Sequence, residues 1–325
     1  MGHRLARQQL GRGVSEPTHA PVMCERVVAL LAPALQQPGA ILVDATVGLG
    51  GHSGALLRSC PHAQLIGIDR DPGALAIAND RLSDVAERIT LVHAVYDEIP
   101  RVLAELGHPR VHGVLLDLGV SSMQLDRPDR GFAYSYDAPL DMRMDPTAEL
   151  TAEAVVNEYS VGELTRVLRE YGEERFALRI ARSISQRRPL SSSAELVEAI
   201  REAVPAAAQR HGGHPAKRTF QALRIEVNDE LGALRRALPA AVEALAVRGR
   251  IVVMSYQSLE DRIAKRALAD RLVDDVPEGL PVPGKGPELA LLTRGAERPT
   301  ADEVEANPRA ASARVRAAER VREAA

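Results

Sequence analysis

Three acids and three glycines stand where a ligand-binding turn needs them. The apolar run at 41–43 ends in Asp44 and then breaks at Gly48, Gly50 and Gly51, the run at 65–68 ends in Asp69, and the run at 111–116 ends in Asp117. Short apolar runs of this kind read as buried strands. In an open α/β sheet, ligands bind in the crevice beyond the carboxyl ends of such strands. Glycines at that point permit φ > 0 and remove Cβ atoms that would keep a ligand off the backbone. Counted from Gly48, the dinucleotide pattern G-x-G-x-x-G wants a third glycine or alanine where Ser53 stands. Asp69 sits where a doubly wound sheet places an acceptor for ribose hydroxyls. Acids at three strand tips suit a cationic sulfonium bearing an adenosine and an amino group better than a pyrophosphate. S-adenosylmethionine is thus favoured over NAD, and a methyltransferase over a dehydrogenase.

The elements that must position these residues follow a βαβ rhythm in the first half of the chain. A helix at 22–35 precedes strand 41–44, helix 53–59, strand 65–69, helix 72–83, and strands 89–93 and 111–117, which predicts a doubly wound, Rossmann-like parallel sheet. From Arg127 to about Pro215 the periodicity is helical, at 151–158, 161–171, 173–186 and 193–204, the last opened by serines able to cap it. A loop at 212–215, a long helix at 219–246, a buried strand at 250–255, a turn-rich loop at 277–287 and a strand at 288–293 complete the pattern. The expected domains are a disordered leader at 1–17, a discontinuous methyltransferase domain at 18–126 and 216–298, an all-helical insert at 127–215, and an arginine-containing C-terminal tail at 299–325.

Several long blocks of this chain resemble one family. They are HAPVM at 19–23, DATVGLGGHS at 44–53, GIDRDP at 67–72, LLDLGVSSMQLD at 115–126, RGF at 130–132, PLDMRM at 139–144, TFQALRIEVNDEL at 219–231, SLEDR at 258–262 and NPR at 307–309. In this order they resemble the bacterial ribosomal RNA small subunit methyltransferase H family. The resemblance implies transfer of a methyl group from S-adenosylmethionine to the N4 amine of a cytidine in the decoding region of 16S rRNA, within the small ribosomal subunit and in the cytoplasm. It also implies that Gly50, Gly51, His52, Asp69, Tyr96, Asp117 and Gln124 bind the cofactor. Two departures stand out: Gln257 occupies a position that is commonly histidine, and Met123 one that is commonly proline. An amide at 257 forms hydrogen bonds but does not titrate.

The chemistry expected is direct displacement, since a delocalised aromatic amine must be held in line with the methyl and stabilised as charge develops. A route through a ring carbon needs a cysteine nucleophile, and Cys24 and Cys60 both lie away from strand tips. The Pro-Pro-aromatic tetrad of many amino-methyltransferases is missing, so the acceptor of the amine proton is not identified; Asn228 and Ser255 are the candidates. Two cysteines far apart support neither a disulfide framework nor a metal site.

Charge is uneven. The net value is -3, yet residues 175–224 hold ten arginines and lysines against three glutamates. Arg175, Arg179 and Arg182 fall on one helical face beside Phe176, Ile180 and Ile184. This is either a stripe for RNA phosphates or a solvated face. No run approaches a membrane span, and the arginines of the first 17 residues lack the apolar core of a secretion signal. Rival readings are an amino-methyltransferase acting on another substrate and an RNA-binding ribosome-assembly factor with weakened catalysis. Oligomeric state is left open, a homodimer included.

Overall fold

The computed structural model describes residues 21–121, 123–124, 127–211, 214–272 and 286–323. The expected leader at 1–17, the start of the block at 19–23, Ser122, Leu125 and Asp126 of the block at 115–126, Gly212 and Gly213, and most of the loop at 277–287 lie outside them.

Strands β1 (Ile41–Asp44), β2 (Gln64–Asp69), β3 (Ile89–His93), β4 (Val111–Asp117), β5 (Leu245–Ser255), β6 (Leu289–Leu291) and β7 (Arg314–Arg320) form one sheet in the order β3-β2-β1-β4-β5-β7-β6. The first five run parallel, and β7 runs antiparallel to both β5 and β6. From β1 the chain winds outward through β2 and β3, then returns to β4 on the other side. The crevice above β1 and β4 is therefore the topological switch point. Alternate side chains face opposite layers: Ile41 and Val43 of β1 enter one core with Ile66, Ile68, Val114 and Leu116, while Leu42 enters the other with Leu65 and Leu115.

Helices α1 (Cys24–Leu35) and α2 (Gly51–Ser59) contribute to the second of these layers, α4 (Ile99–Glu105) to the first, and α3 (Pro72–Arg81) connects β2 towards β3. Asp71 caps α3, its side chain accepting from Gly73 N at 3.0 Å.

The inserted helices are α5 (Ala152–Glu158), α6 (Val161–Glu170), α7 (Ala177–Arg187), α8 (Ser193–Ala203), α9 (Ala206–His211) and α10 (Lys217–Val227). Thr151, Ser160 and Ser192 cap α5, α6 and α8, and Glu163 and Glu195 return hydrogen bonds in the latter two. They enclose a separate core that also takes Ala216, Phe220, Ala222, Leu223 and Val227. The apolar face of α10, which begins beyond the expected boundary at 215, packs into this core.

Two further expectations are corrected. The single helix at 219–246 is two, α10 and α11 (Glu230–Ala244), broken where Asp229 takes φ 45°. The C-terminal segment is not merely a polar tail: it supplies β7, paired with β5 from Arg250↔Glu319 to Ser255↔Arg314. Its charges are absorbed. Arg320, fully buried, donates to the carbonyls of Glu243 at 2.9 Å and Leu245 at 2.6 Å and stands 3.2 Å from Glu288. Arg316 pairs with Asp261 of α12 (Ser258–Ala269). A last helix, α13 (Ala301–Ala306), precedes β7.

Insert and sheet are tied by polar groups on both sides. Asn228 accepts from Met144 N at 2.7 Å and donates to Met142 O at 2.8 Å. Arg130 donates to Asp71 Oδ2 and to the carbonyls of Arg143 and Met144. Gly131 is confined to glycine, since at its φ of 69° a Cβ would lie 2.2 Å from Pro139 O.

Candidate functional site

A cavity of about 2100 Å³ opens at the switch point and continues to the helical insert. Gly51, His52, Asp69, Tyr96, Asp117 and Gln124 all line it, so six of the seven predicted residues share one wall system. Gly50 instead works behind the wall. It precedes α2 with φ 77°, its N–H closes the turn on Val47 O at 2.8 Å, and a Cβ there would press on Leu82 at 3.2 Å.

The strand-tip end is built by the backbone as much as by side chains. Gly48 lines the cavity with φ 51°, and a Cβ on it would meet only Thr46 O, at 3.8 Å, before open space. A Cβ on Gly51 would lie 2.6 Å from the Pro21 ring, which fixes how closely the preceding chain crosses α2. Asp69 pins this turn: Oδ2 accepts from Gly48 N at 2.8 Å and Oδ1 from Asp71 N at 2.9 Å. Burial raises its carboxyl above the ordinary value, against the lowering effect of these two N–H groups. The cap of α3 falls to Asp71, leaving Asp69 turned towards the loop.

At the next tip, Asp117 N donates to Thr46 Oγ1 at 2.6 Å, and Asp117 Oδ1 accepts from the Tyr256 hydroxyl at 3.1 Å. His52 Nδ1 stands 3.5 Å from Asp117 Oδ2, while His52 Nε2 is 2.8 Å from Val22 O. Burial raises the Asp117 carboxyl, with His52 and the Tyr256 hydroxyl opposing. Behind both tips Asp44, buried, accepts from Ser53 Oγ at 2.6 Å and Thr46 N at 3.2 Å. Burial pushes its carboxyl up to about 6. Asp44 thus shapes the turn from beneath.

Tyr96 donates its hydroxyl to Glu230 O at 2.8 Å and carries the Arg70 guanidinium 5.4 Å from its ring centroid. Gln124 is buried, accepting from Ser121 N at 3.0 Å and donating to Asp71 Oδ2 at 3.1 Å. Gln257 lies on the wall just before α12, where Glu260 accepts from the N–H groups of Tyr256 and Gln257. Burial pushes Glu260 up to about 7, against the Arg224 guanidinium.

Neither candidate for the amine proton reaches the reacting region. All of the Asn228 amide is spent on Met142, Met144 and Arg224 backbone, and Ser255 is buried away from the cavity wall, with its hydroxyl towards Arg314 O. Both cysteines stand off the wall too, and burial raises both thiols.

The insert end has a different character. Of the nine aromatic residues in the chain, six line this cavity, including all three phenylalanines. Of the eight arginine and lysine side chains that line the cavity, Arg175, Lys217, Arg218 and Arg224 stand at the insert end beside Glu173 and Glu174, two of its four lining carboxylates. The basic run divides accordingly. Arg187 pairs with Glu202, Arg188 bonds the backbone of Val156, and Arg224 is paired at 2.7 Å with Glu230. Arg175, Lys217 and Arg218 reach the cavity, and Arg179 and Arg182 are exposed beside it. Sequence reading missed Tyr134, Phe176, His214 and Phe220; scarce aromatics interleaved with a basic run were the signal.

Groups at the strand tips fit a cofactor that is cationic at one end and carries ribose hydroxyls: two carboxylates and a turn that bares its backbone at Gly48 and Gly51 converge on one wall. Among the described residues, no helix is long and apolar enough to cross a membrane.

Comparison with known proteins agrees with this geometry. The sequence profile of the MraW methylase family matches residues 16–321. A ribosomal RNA small subunit methyltransferase H from Thermobifida fusca (strain YX) is 65% identical over 317 residues, covering 96% of each chain. A protein of the same name from Saccharopolyspora erythraea is 59% identical over 329 residues, covering 100% of each.

Proposed function

This chain belongs to the MraW methylase family, and we propose that it is an S-adenosylmethionine-dependent methyltransferase of small-subunit 16S rRNA, acting on the N4 amine of a cytidine in the decoding region. The observation that carries the proposal is a single cleft that has Asp69, Asp117 and a glycine-bearing turn at the strand tips and aromatic rings with Arg175, Lys217 and Arg218 on the insert. The relatives named for methylation of small-subunit rRNA support the substrate class.

S-adenosylmethionine, when bound, supplies a methyl group on a positively charged sulfur. Gly51, His52, Asp69, Tyr96, Asp117 and Gln124 would hold it, with Gly50 setting the turn. Asp69 keeps lone pairs beyond those given to Gly48 and Asp71, and these would accept from the ribose hydroxyls of the cofactor. Tyr96 offers a ring face to a flat base, its hydroxyl already satisfied by Glu230 O. Asp117 is held by Thr46 and Tyr256, so its carboxylate is oriented before any ligand arrives. The insert's cations neutralise phosphates and bring the strand to the cleft. No cysteine stands on the wall among the described residues, and attack through the amine requires alignment of the two reactants and an acceptor for the proton the amine loses.

The test is transfer of labelled methyl from S-adenosylmethionine to small ribosomal subunits and to free 16S rRNA, followed by digestion to nucleosides. The expected product is N4-methylcytidine. Label on another nucleoside overturns the substrate atom, and RNA binding without any transfer favours an assembly factor that has lost catalysis.

A further inference from the structure

The cleft is larger than its proposed chemistry requires. Small-molecule sites occupy roughly 300–1,000 Å³, and this one has about 2100 Å³. A cofactor at the strand tips and one reacting base leave space along the insert, and that space has its own chemistry.

Tyr134 and His214 are stacked there, with ring centroids 4.5 Å apart and an interplanar angle of 18°. Phe220 packs edge-on against Tyr134 at 5.8 Å and is itself buried, which fixes the tyrosine ring. Tyr134 and His214 are only half-buried, so the stack keeps area facing the cavity. Burial lowers the His214 pKa, aided by Arg201, which disfavours the charged form of the ring. Around the stack stand Arg175, whose guanidinium lies 4.5 Å from the Phe176 centroid, and the exposed Lys217 and Arg218. Rings beside flexible cations are what a protein uses on single-stranded nucleic acid, because every base has a face to stack and every nucleotide a phosphate to neutralise.

We infer that the insert end of the cleft holds a second, unpaired nucleobase of the substrate strand on the Tyr134–His214 stack, with Arg175, Lys217 and Arg218 serving the adjoining phosphates. This rests on the RNA reading above and extends it. The methylated base occupies the strand-tip end, and the strand is held open by a neighbour stacked on the insert. A duplex cannot offer such a base, so the site selects unpaired RNA.

The experiment uses the full chain and short single-stranded RNAs carrying 2-aminopurine at each position in turn. The chain has no tryptophan, so the probe's fluorescence is read without interference. The wild type should quench one position by stacking. Tyr134→Leu should lose that quenching and bind RNA about tenfold to a hundredfold more weakly, with donor KM unchanged, whereas Tyr134→Phe should retain both. His214→Ala, at the loop side of the stack, carries the same test if Tyr134→Leu lowers the melting temperature. Unchanged quenching and affinity in both Tyr134→Leu and His214→Ala overturn the inference, as does Tyr134→Phe losing as much as Tyr134→Leu. Methyl transfer measured on the same samples separates the two claims. A wild type that transfers methyl while the stacking variants bind normally sinks only the stacking site; one that quenches but transfers nothing supports stacking and sinks the enzymatic assignment.

Discussion

At the strand tips the cleft presents Asp69 and Asp117, held by hydrogen bonds; along the insert it presents rings among Arg175, Lys217 and Arg218. Gly48, Asp69 and Asp117 are locked by short local contacts within a few residues of parallel strands. Tyr134, His214 and Phe220 come from three separated positions and meet only because the insert folds as its own core. Under the proposed function one end takes a small cationic donor and the other a polyanion. Binding both in one cleft requires that neither end's charge disable the other. The contrast can be broken or sharpened by mutations at each end and between them.

The largest effect is expected where the ends meet. Arg224 is half-buried in α10, bidentate to Glu230 and close to Glu260. Arg224→Ala leaves two buried carboxylates without their cation and should cost about 3–5 kcal/mol of stability, read by urea unfolding. A loss below about 1 kcal/mol would mean that the junction is not electrostatically coupled.

Next is a pH effect confined to the strand-tip end. The Asp44 carboxyl, raised to about 6 by burial, favours the folded state while protonated. That contribution is complete below its unfolded value and disappears as pH rises through about 6. Asp44→Asn should therefore match the wild type at low pH and gain on it by about 3 kcal/mol once Asp44 is ionised. Melting curves across that window check this, and parallel pH profiles would contradict it.

Asp69→Asn keeps a similar shape but removes the charge beside Gly48. Donor affinity should fall about tenfold to a hundredfold, as for hydrogen bonds to a charged group, with RNA affinity unchanged; calorimetric titration with each ligand distinguishes the two. The smallest effect lies at the other end. Lys217→Gln should lower the slope of log RNA affinity against log salt by about 0.7 and leave donor binding alone.

The same contrast explains what was legible in the sequence. Each strand tip is a local pattern, an apolar run, an acid and a glycine, so β1, β2, β4 and the positions of Gly51, Asp69 and Asp117 could be read directly, whereas His52, Tyr96 and Gln124 rested on the family resemblance. The insert's helices were legible from periodicity and serine caps, but not where their aromatic side chains would meet, because that depends on packing across 80 residues between Tyr134 and His214. Strand β7 was hidden by its charges: Arg316 and Arg320 read as a solvated tail until Asp261, Glu288 and the end of α11 are seen to receive them. The break before α11 was invisible for another reason. Asp229 adopts a left-handed conformation that no local signal demanded, while Asn228 is drawn into bonds with Met142 and Met144, 86 and 84 residues away.

The most direct test of a cleft divided in this way is to measure donor and single-stranded RNA affinity on the same wild-type protein at about 50 and 200 mM salt. The division predicts nearly constant affinity for S-adenosylmethionine and a fall of about tenfold or more for RNA. Equal salt dependence for both ligands, or RNA binding indifferent to salt, would contradict it.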